Sequence, residues 1–165
     1  MKKLSLLLLI GFWGITSICY IGCTRKTNPT PEEKAKVEAA LSEFAESLRS
    51  EKIDSLSSFD FLKAYLEKNT FIYGAAYAIP ESDSASYCTY VYLKDGKDIR
   101  KALTYYKSEE WFKGPVTEKK GYWSKPYFDT EGGQVEMITY SIPVYSKDSL
   151  NTLLYVVTSD LSLQY

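Results

Sequence analysis

The segment QVEMITYSIPVY, residues 134–145, constrains the fold more than any other part of this chain. Ile138, Tyr140, Ile142 and Val144 alternate with Met137, Thr139 and Ser141. A period of two is the repeat of a β-strand, and here both faces of that strand can be read. SKDS, residues 146–149, turns the chain into LNTLLYVVTSDLSL, residues 150–163. Upstream, Gly132-Gly133 reads as a hairpin turn after a short strand near Tyr122–Asp129. The last third of the chain is therefore expected to form three antiparallel strands.

The earlier segments add helices and two further strands. Thr30, Pro31 and Glu33 can open a helix through a capping box with proline at its first position. Val37, Leu41, Phe44 and Leu48 follow at 4-3-4 spacing and make one apolar stripe, which belongs to a core or a helix–helix seam. A second helix is predicted from about Phe59 to Lys68, with Asn69 as its stop. TFIYGAAYAIP, residues 70–80, and YCTYVYLK, residues 87–94, read as strands, and Asp95-Gly96 is a turn signal. DIRKALTYYKSEEWFKG, residues 98–114, has helical character without a clean stripe and predicts one or two short helices across the sheet. The order is that of an α+β domain with helices packed on an antiparallel sheet.

Composition excludes several functions. The chain has no histidine, so a Ser-His-Asp triad, a Cys-His dyad and the usual His-based metal sites are absent. Cys19, Cys23 and Cys88 match no zinc spacing, and no cofactor is expected. Cys88 reads as a lone buried thiol without a basic cluster to activate it. From Cys23 onward the chain carries 18 basic and 21 acidic residues, a balance unsuited to nucleic acid. No nucleophile constellation accompanies the acidic residues, so no enzyme is read. The 15 tyrosines, each with an apolar face and a polar tip, suit pockets and interfaces as well as cores.

MKKLSLLLLIGFWGITSICYIGC has the two lysines, apolar run and Gly-Cys step of a secretory signal. YIGC, residues 20–23, resembles a bacterial lipobox, with Tyr20 where leucine is usual, so Cys23 would become the lipidated first residue. Residues 4–22 are also just long enough for an uncleaved anchor helix. Both readings put the rest of the chain outside the cytoplasm. Residues 1–22 are assigned to the signal, 23–30 to a polar tether and 31–165 to one domain.

FLKAYLEKNTFIYGAAYA, then EEWFKGP with GYWSKPYFD, then ITYSIPVYSKDSLNTLLYVVTSDLSL together resemble an extracellular Cache domain over residues 59–162. Cache domains are the PAS-like sensor modules of bacterial chemoreceptors and histidine kinases, and of membrane-bound phosphatases, notably those with serine phosphatase modules. The resemblance implies a twisted antiparallel sheet of about five strands behind a long N-terminal helix. It also implies a small-molecule ligand held between sheet and overlying loop, and a membrane sensor protein as partner. In amino-acid-binding Cache domains an Arg two positions before a Trp-Tyr pair grips the carboxylate, while a Tyr-x-Asp and a late Asp grip the amine. By position, Trp111 and Phe112 match the aromatic pair, Tyr127 and Asp129 the Tyr-x-Asp, and Asp160 the late Asp; Tyr105 lies near a further Tyr. Glu109 stands in place of the Arg, and a carboxylate there repels the group that an Arg fork would bind. The retained half suits an amine or other polar cation.

Each site residue also has a plainer structural role open to it. Trp111 and Trp123 can be core or lid packing, Asp160 a turn or cap near the C-terminus, and Glu109 part of a solvated face. The rival function is an interaction or structural lipoprotein that binds a partner protein without a small ligand.

Overall fold

The structure is a computed structural model that describes residues 28–51, 53–80, 87–148 and 151–164. The signal, Cys23 and most of the tether lie outside the described residues.

Helix α1 spans Pro31–Ser47. Its capping box forms as the sequence predicts: Glu33 N donates to Thr30 Oγ1 at 3.2 Å, and Thr30 N donates to Glu33 Oε2 at 2.8 Å. The stripe Val37, Leu41, Phe44 is buried and continues to Leu48 in the short 3₁₀ turn that follows. Helix α2 spans Ser57–Lys68, two residues earlier than the apolar pattern suggests. Asp54 Oδ1 accepts from Leu56 N and Ser57 N at its start, and Asn69 closes its end by donating from Nδ2 to Tyr65 O at 2.9 Å.

The sheet has seven strands, not about five: β1 Gly74–Ala78, β2 Cys88–Lys94, β3 Lys97–Leu103, β4 Tyr122–Trp123, β5 Tyr127–Phe128, β6 Glu136–Tyr145 and β7 Leu153–Ser162. Five of them have five or more residues, and β4 and β5 have two each. The order is β3-β2-β1-β7-β6-β4, with β5 also on β6, and every pairing is antiparallel. The helical reading of residues 98–114 is corrected in its first half. Lys97–Leu103 is an edge strand paired with β2 in continuous register, while Tyr106–Ser108 forms a 3₁₀ turn and Glu110–Glu118 the helix α3. Asp95 and Gly96 both take positive φ, 51° and 73°, so their turn has the handedness that returns a strand directly onto its neighbour.

Alternation along the central strands sends side chains to two different environments. On one face Val91, Val144, Tyr155 and Val157 pack against Leu41, Phe44, Leu62 and Leu66 of α1 and α2. Phe44 and Tyr65 stack there at 4.4 Å. On the other face Cys88, Tyr90, Tyr92 and Val156 meet Tyr106, Trp111 and Phe112 from α3 and the turn before it. Trp123 belongs to the first face, tilted on Tyr140 and donating from Nε1 to Glu38 of α1 at 2.7 Å. Cys88 is a free, buried thiol, and burial pushes its pKa up, as expected of an inert core cysteine.

Candidate functional site

The site lies on the α3 face, over the middle of β7. Asp160 is not at a turn or cap; it occupies a central strand position opposite Thr139 of β6 and Gly74 of β1. It is 2% exposed. Thr139 Oγ1 donates to Asp160 Oδ1 at 2.7 Å. That hydroxyl also lies 2.8 Å from Tyr127 Oη, so with its own proton committed to Asp160 it accepts from Tyr127. Thr139 N donates to Ser124 Oγ at 3.0 Å, which fixes the threonine from the backbone side. The result is a three-residue chain, Tyr127 to Thr139 to Asp160, directed at a buried carboxylate.

No basic side chain acts on Asp160 among the described residues. Burial raises its pKa to about 7; the bond from Thr139 and the nearby Tyr90 hydroxyl oppose that rise, and Asp129 adds to it. Tyr90 is close enough to favour the carboxylate, but its hydroxyl lacks good hydrogen-bond geometry and counts as an unpaired buried oxygen. The hydroxyl rests over Gly74, where a Cβ would sit 2.3 Å from it. Glycine at 74 is thus required by close approach of the tyrosine. Burial pushes the phenols of Tyr90 and Tyr127 up, with Asp160 contributing, so both stay protonated.

Two small chambers open beside this chain. The inner one, about 20 Å³, is bounded by Asp160, Thr139, Thr158, Tyr90 and Ala76, and has room for about one water-sized group. The outer one, about 60 Å³, is bounded by Tyr105, Tyr106, Glu109, Phe128, Thr130 and Glu131. Leu103, Trp111, Tyr127 and Asp129 line both chambers. The outer wall holds the carboxylates Glu109, Asp129 and Glu131 and no basic residue.

Of the six ligand-binding candidates read in the sequence, five line these chambers. Asp160 lies at the inner end, Trp111, Tyr127 and Asp129 between, and Tyr105 at the mouth, 74% exposed. Phe112 lines neither chamber. It packs behind Trp111, edge-on at 6.2 Å and 87°, and belongs to the core. Asp129 has a structural duty as well: Oδ1 accepts from Gly132 N at 3.0 Å and Oδ2 from Gly133 N at 2.6 Å. The two glycines do not supply positive φ; Gln134 does, at 56°. They are needed because a Cβ at 132 would lie 2.3 Å from Asp129 Oδ2, and one at 133 would lie 2.5 Å from the Tyr73 ring. Thr139, Thr158 and Tyr90 escaped the sequence reading. Their signal was polarity recurring on alternate positions, Thr139 in β6 and Thr158 with Asp160 in β7.

A long helix behind an antiparallel sheet, with a chamber between the other face and an aromatic segment, is the arrangement of a PAS-like domain. The chain belongs to the family described as methyl-accepting chemotaxis protein-like, first PDC sensor domain, whose model matches residues 59–165. The Cache resemblance is thereby borne out. No curated protein matches the chain. Among solved structures, the extracellular domain of soHK1S-Z6, a protein described as a histidine kinase, aligns over 78% of this chain and 53% of its own, at TM-score 0.69 and 21% identity. Methyl-accepting chemotaxis protein X aligns over 79% of this chain and 60% of its own, at TM-score 0.58 and 18% identity. The ligand-binding domain of Campylobacter jejuni chemoreceptor Tlp3, in complex with L-valine, aligns over 79% and 53%, at TM-score 0.62 and 13% identity. At these identities the likeness is one of fold. The chain spans about half the length of the structures it matches.

Proposed function

We propose that this chain is the sensing part of a cell-envelope protein, and that its two chambers take a compact cationic ligand such as a small primary amine. The observation that carries this reading is Asp160: a buried carboxyl at the end of a cavity, held by hydroxyls and facing no basic side chain among the described residues. A buried carboxylate is costly without a counter-charge, and an ammonium in the inner chamber would supply one. The walls Trp111 and Tyr127 offer ring faces to the same cation, and the acidic mouth attracts it. Glu109 at that mouth repels a ligand carboxylate, which disfavours a free α-amino acid of the kind seen in the Tlp3 complex. Attachment follows from the leader, through a lipid on Cys23 or an uncleaved anchor helix. Output then passes to a membrane sensor partner.

A thermal-shift screen across amines, amino acids and organic acids tests the ligand class. Amines should raise Tm with concentration as mass action requires. Stabilisation by organic acids with none by amines would overturn the assignment. Intact mass of the envelope-extracted protein separates a lipidated Cys23 from a retained leader.

A second reading, a lipoprotein that binds a partner protein without a small ligand, draws on the chamber volumes, which total only about 80 Å³. A blank screen beside a firm pull-down of one membrane protein would favour it.

A further inference from the structure

The inner chamber has a second property, which rests on the amine reading but goes beyond it. The Tyr127–Thr139–Asp160 chain can run in either direction without moving a heavy atom. With Asp160 ionised, Tyr127 donates to Thr139 and Thr139 donates to Asp160. With Asp160 protonated, its own O–H can donate to Thr139, and Thr139 in turn to Tyr127. The Thr139–Asp160 hydrogen bond is therefore kept in both charge states by the same two side chains.

We propose that ligand binding here is a proton–cation exchange: without a cation Asp160 is held as the neutral acid, and an arriving ammonium group replaces its proton. The balance is simple. The carboxyl O–H bond breaks, its electron pair stays on Asp160, the proton leaves to solvent, and the ammonium keeps all of its own protons. The exchange leaves the net charge of the chamber unchanged, so neither state adds an uncompensated buried charge at Asp160. The groups facing Asp160 leave it as the titrating member. Tyr90 and Cys88 on β2, Tyr73 before β1 and Tyr127 on β5 are all pushed up by burial and stay protonated, as does Tyr65 on the opposite face of the sheet. Asp129 accepts two backbone N–H bonds, and its nearness adds to the rise at Asp160.

The consequence is a sensor whose apparent affinity depends on external pH. Below the neutral range, protons compete with the ligand, and affinity falls about tenfold per pH unit. A chamber built around an Arg-paired carboxylate would show no such dependence, since its proton is already gone.

The test uses the full chain in detergent micelles, with carbon-13 at aspartate carboxyls and methylammonium as the probe. Methylammonium places one ammonium head in a chamber of about 20 Å³ and needs no specific tail. Without probe, one carboxyl should titrate near pH 7, and Asp160→Asn should remove that signal. Saturating methylammonium should lower the midpoint by at least one pH unit. If Asp160→Asn does not fold, Thr139→Val identifies the signal instead, because loss of the donor should move the midpoint up. The exchange fails if methylammonium perturbs the Thr139 and Tyr127 amides while the Asp160 midpoint stays still. It fails equally if that midpoint lies in the ordinary carboxylate range without probe, and in both cases the amine reading survives. If the midpoint is near neutral but no chamber signal responds to methylammonium between pH 5 and pH 9 (about the span the exchange covers), the amine reading falls and takes the exchange with it.

Discussion

The two faces of the sheet are made by the same strands and differ in almost everything else. On the helix face Val91, Val144 and Val157 meet Leu41, Leu62 and Leu66 in a closely packed apolar layer. One residue along the same strands, Tyr90, Thr139, Thr158 and Asp160 meet Trp111 and Tyr127 around a cavity. Where polar groups do reach the helix face they are closed off in pairs: Ser58 with Thr89 at 2.8 Å, and Tyr65 with Ser159 at 2.7 Å. Among the described residues, the α3 face instead keeps an unpaired Tyr90 hydroxyl and a carboxyl with no counter-charge. Stability is concentrated on one face, which lets the other carry groups that oppose folding.

The largest test of that division is Leu62→Ala. Leu62 is fully buried between α2 and the sheet, and its truncation should cost about 3–5 kcal/mol by denaturant unfolding. Methylammonium affinity of the folded fraction should be unchanged. A large affinity loss would show that the faces are coupled and that the division is false.

Asp160→Asn should act in the opposite direction on stability. A carboxyl whose folded pKa is about 7, against an ordinary value of 3.8, binds its proton more tightly folded than unfolded. Folding is therefore favoured by the group below pH 3.8, loses ground through the window between the two values, and bears the full penalty above 7. The shift corresponds to about 4 kcal/mol, and an amide left short of one acceptor returns roughly half of that. The variant should thus be more stable than the parent by about 2 kcal/mol at alkaline pH and less stable by about 2 kcal/mol in acid, with the sign reversing inside the window. Its methylammonium binding should be lost. A parent chain whose stability is flat across this window would remove the argument that Asp160 is buried without a counter-charge.

Thr139→Val is a smaller perturbation of the same network. It deletes the donor to Asp160 and the acceptor from Tyr127, and should destabilise by about 1–2 kcal/mol, more at alkaline than at acid pH. Equal loss at both ends of the range would mean that Thr139 serves packing alone.

The same contrast decides how much could be read from sequence. The helix face was legible because apolar periodicity reports it directly: the Thr30 cap, the Val37–Leu48 stripe, the Asn69 stop and the β6–β7 hairpin all stand as expected. Strand β3 was not legible from periodicity. It is an edge strand whose outward positions are charged, so Ile99 and Leu103 alone mark its inner side. The Asp95-Gly96 turn was the better signal, since two residues with positive φ return the chain as a hairpin. On the chamber face, single residues matter more than patterns. The family resemblance supplied Asp160, Tyr127 and Trp111, but no spacing rule could place Phe112 behind the wall or give Asp129 its second role. Those depend on which way a loop carries its carboxylate, and that is settled only by the fold.

Asp129 provides the finest test because it belongs to both accounts. Its carboxylate holds the Gly132 and Gly133 amides, yet it also lines both chambers. Asp129→Asn keeps one acceptor oxygen and the shape of the turn, so stability should fall by about 1 kcal/mol, and Asp129→Ala should fall further. If Asp160 is the counter-charge, the asparagine variant should weaken methylammonium binding severalfold without abolishing it or its pH dependence. Asp160 is nearly inaccessible and has no other anionic role, whereas Asp129 has two amide donors already sharing its charge. Complete loss of binding in Asp129→Asn, with the turn intact by amide exchange, would move the ligand's counter-charge from the strand to the loop. The chamber face would then be organised by its hairpin, and the helix-packed sheet beneath would be support only.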